Sequence, residues 1–93
     1  MLNADPVFME KTASYFIVIL KRPDGYIAVA PAFPRTTAQA SSARLAYARL
    51  KTLIKTELLK LFARDERPPR DPVIQTRTLR VDLWYLRQQE ELQ

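Results

Sequence analysis

Six cationic side chains fall between residues 43 and 64 against a single carboxylate: Arg44, Arg49, Lys51, Lys55, Lys60 and Arg64 against Glu57. On a helix, Arg44, Lys51 and Lys55 share one face by steps of seven and four. Arg49, Lys60 and Arg64 share a neighbouring face by steps of eleven and four. Guanidinium and ammonium groups repeated at helical spacing can contact successive phosphates or the carboxylates of an acidic protein. The segment is therefore a candidate partner- or nucleic-acid-binding surface. Its net charge equals the +5 of the whole 93-residue chain, because the charges elsewhere cancel. The same residues also serve as a solvated outer face. Against that use, a purely structural helix more often intersperses Glu to relieve like-charge pairs such as Lys51/Lys55.

Catalytic chemistry has little to work with. The chain has no His and no Cys, which removes imidazole bases, thiol nucleophiles, disulfides and the usual zinc ligands. Its 1 Gly cannot build a phosphate-cradling loop. A two-metal nuclease site needs several converging carboxylates. Residues 14–22 contain none, and Glu57 and Asp82 alone cannot form the site. Asp24 has a turn to explain it. The chain is expected not to be an enzyme and to need no cofactor or metal. The aromatic residues could include a base-stacking platform, but most fall on apolar stripes that core packing explains. Tyr26, Trp84 and Tyr85 are expected at the surface. Trp84, Tyr85 and Leu86 form an apolar patch expected as an oligomer interface.

These side chains must be positioned by a small set of elements. A chain of 93 residues is one domain, with 47% hydrophobic and 27% charged residues, an ordinary globular composition. Residues 1–13, interrupted by Pro6, are expected as a partly ordered arm. The stretch 14–22 (SYFIVILKR) is short and apolar on both faces, which predicts a central strand. Arg22-Pro23-Asp24-Gly25 is a hairpin turn, with Pro presetting φ and Gly accepting positive φ. Residues 26–30 form the return strand, and Pro31 and Pro34 end it. A polar third strand over 35–40 belongs at a sheet edge. Ser41 or Ser42 caps a helix over 43–64. Its stripe is Ala43, Ala46, Tyr47, Leu50, Leu53, Ile54, Leu58, Leu61 and Phe62. The connector 65–72 (DERPPRDP) ends the helix. Alternation of Leu79, Val81 and Leu83 with Thr78, Arg80 and Asp82 predicts a half-buried fourth strand over 74–83. It most naturally lies beside the first, parallel to it. In the C-terminal tail 84–93, Trp84, Tyr85 and Leu86 continue that strand or start a last short segment, and 87–93 is expected to fray. The fold class is thus α+β in the order β-β-β-α-β: a four-stranded, mainly antiparallel sheet on one long helix, with a single domain over 14–83.

This order, with Asp24-Gly25-Tyr26, Pro31-Ala32-Phe33-Pro34, Gln39 and the Ser42-capped helix, resembles the HicB-type antitoxin family. The likeness spans about residues 14–83. Phe33 stands where that family has Leu, and Ser42 where it has a capping Thr. Arg35-Thr36 replaces the Gly-Cys after the second proline, and Ala40 replaces the glycine after Gln. The resemblance implies a HicB-like, partial RNase H fold and an antitoxin-like, non-catalytic protein-binding module with a small toxin-like protein partner. With only 84–93 after Leu83, no C-terminal DNA-binding domain is expected. The alternatives are a nucleic-acid-binding module using the basic helix, with weak binding, and an accessory protein that only dimerises. A homodimer is expected in each case. The longest apolar run, 15–20, is far short of the roughly 20 residues of a membrane helix. No membrane contact is therefore expected, and the expected location is cytoplasmic.

Overall fold

In the computed structural model of the chain, residues 12–91 are described. Most of the 1–13 arm lies outside them. The elements run β1 (Val18–Arg22), β2 (Gly25–Val29), β3 (Thr37–Ala40), α1 (Ala43–Ala63) and α2 (Leu83–Glu91). The class is α+β, with a three-stranded antiparallel sheet in the order β1-β2-β3.

The hairpin follows from its turn residues. Arg22 pairs with Gly25 across the two-residue turn Pro23-Asp24. Pro23 fixes a negative φ, and Asp65 is the only non-glycine with positive φ among the described residues. The mirror-image turns usual for two-residue hairpins are therefore not formed. The positive φ falls on Gly25, at 145°. A Cβ there would lie 2.6 Å from the Ala40 carbonyl oxygen, which belongs to β3 backbone. Gly25→Ala is expected to destabilise the domain by about 2 kcal/mol, through backbone strain and displacement of β3. Chemical denaturation checks this, and an unchanged midpoint would contradict it.

Register sets the two faces of the sheet. Residues directly opposite share a face, so Ala28 stands with its partners Ile19 and Ala38. Residues two along on the same strand join them, which adds Ala30 and Tyr26. This face meets α1. Ala28, Ala30 and Ala38 on the sheet and Ala46 on the helix are all buried, and none has bulk beyond a methyl group. The helix backbone can therefore approach the strands closely, and Leu50 and Ile54 fill the space between. Phe33 closes one end of the core, meeting the Tyr15 ring edge to face at 5.0 Å. The opposite face carries the cross-strand pairs Val18/Val29 and Leu20/Ile27. Among the described residues no helix or strand packs on it, and Val18 and Leu20 are exposed.

Both ends of α1 are closed. Ser42 Oγ accepts from the Leu45 N–H at 3.1 Å, as expected of an N-cap. At the other end the Asp65 N–H donates to the Phe62 carbonyl and the Glu66 N–H to the Leu61 carbonyl. That pair of bonds is a Schellman motif, with Asp65 at φ 58° in the position usually taken by Gly. Connector residues then return to β1. The Tyr15 hydroxyl donates to the Pro69 carbonyl at 2.8 Å, and the Phe16 N–H donates to Asp71 Oδ2.

Four expectations are corrected. First, the 14–22 segment gives a strand only over Val18–Arg22, and that strand is at an edge; β2 is central. An apolar strand at an edge is what remains when the expected neighbour is absent. Second, no fourth strand forms over 74–83. Gln75, Thr76, Arg77 and Thr78 separate Ile74 from Leu79, so the apolar alternation extends over only three positions. Third, one long helix is replaced by two helices. Asp82 Oδ1 accepts from the Tyr85 N–H at 2.9 Å. That cap precedes a run of good helix formers, so a helix runs over Leu83–Glu91, through the part from 87 on that was expected to fray. Fourth, the buried stripe of α1 is narrower than its periodicity. Ala46, Leu50 and Ile54 are buried, but Ala43, Tyr47, Leu53 and Phe62 are exposed, because three short strands cannot cover the whole helix.

Candidate interaction surfaces

All six helix cations lie on α1 or at its C-cap and are solvent-exposed, but they are not equivalent. Arg49 Nη1 donates to the Gln39 carbonyl oxygen at 2.7 Å, fastening the helix to the rim of β3. Its guanidinium borders a groove of about 600 Å³ between β3 and α1, lined also by Thr37, Ala48 and Thr52. Lys60 pairs with Glu57 at 3.3 Å, and Arg64 with Glu66 at 3.2 Å. Exposed pairs of this kind add little stability, but the neighbouring carboxylate opposes the charge each cation presents to a polyanion. Arg44, Lys51 and Lys55 have no anionic partner among the described residues. These three share one face, so the cations available to a polyanion form a single short row instead of two.

The acids serve structure. Glu57 pairs with Lys60, and Asp82 caps α2. Asp24 sits in the hairpin turn. Among the described residues no three acids, histidines or cysteines converge as a metal site. None of the helices among them is long and apolar enough to cross a membrane.

The second surface is apolar. Trp84 is 71% exposed, and Tyr85 and Leu86 are more than half exposed. Tyr26, by contrast, is half-buried beneath Lys21, whose Nζ sits 4.7 Å from the ring centroid. Its place on the helix-facing side of β2 explains the difference. The apolar patch extends well upstream of the expected 84–86, since Ile74 is 97% and Leu79 84% exposed. Helix α2 packs against no other element. The extended tail gives the chain a radius of gyration of 19.4 Å, against roughly 12 Å for a compact domain of this length. Val18, Leu20, Ile27 and Val29 make a further apolar surface that the sequence reading assigned to a buried sheet. A strand apolar on both faces signals two coverings, and only α1 supplies one here. No family model, curated protein or solved structure matches this chain.

Proposed function

We propose that the protein is a non-catalytic protein-binding module resembling a HicB-type antitoxin domain, acting by protein–protein contact and self-associating as a homodimer. The observation that carries this reading is the apolar tail from Ile74 to Leu86, in which Ile74, Leu79, Leu83 and Trp84 are largely exposed and α2 packs against no other element. Large side chains held in water at this density mark an interaction surface. The three-strand meander followed by a Ser-capped helix supports the likeness to the partial RNase H fold of that family. The protein partner, small and toxin-like in the family, would meet the tail or the open sheet face. A nucleic-acid-binding role for the α1 cations is the second reading, favoured by the unpaired row Arg44, Lys51 and Lys55.

Sedimentation of the purified chain tests the first reading. A dimer is expected at 100 μM, on the order of a low-micromolar association. The triple variant Leu83→Ser, Trp84→Ser, Leu86→Ser should be monomeric with an unchanged α1 signal by circular dichroism. A wild-type monomer at that concentration would remove self-association from the reading.

A further inference from the structure

Two uncovered surfaces of one chain have complementary character. The first is the outer edge of β1 with the open face beside it. The Arg49 bond to Gln39 shows that the Gln39 carbonyl faces away from β2. The opposed residue Ile27 must then turn its backbone groups to β1 and bond Leu20. On β1 it follows that Ile19 and Lys21 direct their N–H and C=O groups outward. The β3 edge is polar and covered at Gln39 by Arg49, whereas the β1 edge is apolar and open. Open apolar edges recruit strands. The second surface is 78–82, a segment outside any helix or strand whose apolar and polar residues alternate and which has no backbone–backbone hydrogen bond N-terminal to Asp82.

The chain cannot easily join these surfaces to each other within one molecule. Phe16 is bonded to Asp71, so a parallel extension from that contact reaches Arg22 when the tail has reached Arg77. Two guanidinium groups then adjoin, and Leu79, Val81 and Leu83 lie beyond the strand. A register six residues further along would place Asp82 beside Lys21, Leu79 beside Val18 and Val81 beside Leu20. It satisfies both charge and apolar pattern, and the Asp71 and Pro69 contacts hold a molecule's own tail away from it. The antiparallel alternative brings Arg77 to Lys21 and Arg22, which is repulsive.

From this we infer that residues 78–82 of one copy add as a parallel fourth strand to β1 of a second copy, reciprocally about a two-fold axis. The first turn of α2, with Leu83, Trp84 and Leu86, then covers the partner's open sheet face. The exchange rests on the protein-contact reading and names the partner as a second copy of this chain. The available area suits it. The chain exposes 8205 Å², whereas a compact monomer of 10.8 kDa exposes roughly 5,500 Å². The difference is in the range that exchanged dimers bury. The stiff proline-rich hinge at 67–72 favours exchange over closure on its own domain.

The absence of cysteine makes a direct test simple. Val18→Cys and Leu79→Cys are prepared separately, mixed in equal amounts and oxidised. A disulfide-linked heterodimer can form only between copies, and its yield should exceed that of either single variant alone at least tenfold. Val81 is 44% exposed and lies outside the buried core, so Val81→Asp should weaken the dimer at least 100-fold without unfolding the domain. A dimer that persists in Val81→Asp and yields no mixed cross-link would overturn the exchange while leaving the protein-contact reading intact. A wild-type monomer at 100 μM would overturn both. A cross-link confined to monomers of the double variant Val18→Cys, Leu79→Cys would show closure within one chain and also overturn the exchange.

Discussion

Leu50→Ala should lower stability by about 3–4 kcal/mol, the largest effect expected of any single truncation in this chain. Leu50 is the only large side chain that is fully buried among the described residues. Its neighbours in the core are mostly alanines, which cannot move inward to fill the space it leaves. The cavity therefore stays open, the condition under which such truncations lie toward the upper part of their range. A domain of this size has roughly 5–10 kcal/mol in total. The thermal midpoint should fall by roughly 12–32 °C. Leu59→Ala on the same helix removes the same atoms from a side chain 68% exposed, and should change stability by under about 0.5 kcal/mol. Differential scanning calorimetry of the two variants checks the pair. Equal losses would mean that α1 is not seated on the sheet through the stripe Ala46, Leu50 and Ile54.

The contrast between Leu50 and Leu59 also shows where the sequence was legible. Period and capping placed α1 within a residue at its C-terminal end, because its signals are local: Ser42, the unbroken 3.6 repeat and the connector prolines. The hairpin turn was equally local. The fourth strand was not legible, because pairing depends on what the segment meets, and 78–81 find no backbone hydrogen-bond partner among the described residues. The same cause turned β1 from a central into an edge strand. For the candidate site, spacing put Arg44, Lys51 and Lys55 together correctly. It could not show that Arg49 is committed to the Gln39 carbonyl, or that Lys60 and Arg64 sit against Glu57 and Glu66. Glu66 lies past the helix, where helical periodicity has no authority.

That division of the cations fixes the salt response. If the unpaired row contacts three phosphates of duplex DNA, the log of affinity should fall against the log of salt with a slope of about −2.7. Affinity would then drop roughly 40-fold between 50 and 200 mM salt. Replacing Lys51 and Lys55 by Gln should leave one contact and a slope of about −0.9. Lys60→Gln should change the slope much less, because its charge is already opposed by Glu57. Stability should hardly move in either variant, since all three side chains are exposed and removing Lys51/Lys55 relieves a repulsion. Fluorescence anisotropy with labelled duplex and single-stranded oligonucleotides reads all of these. Sequence-blind binding weaker than about 100 μM at physiological salt is the expected result. Tighter binding, lost in the Lys51/Lys55 variant, would place the nucleic-acid reading ahead of protein contact.

The order of the strands in the sheet repeats their order along the chain, and the helix that covers them comes next. Little chain therefore has to be closed before native contacts form. Such a topology should fold in microseconds to milliseconds, through a hairpin and then helix docking. Exchange of 78–82 between copies is bimolecular and must follow that step. Refolding should therefore show two phases: a fast one independent of concentration, and a slower one whose rate rises with protein concentration. At the dilution of a single newly made chain the domain would be complete while its tail still waited for a second copy.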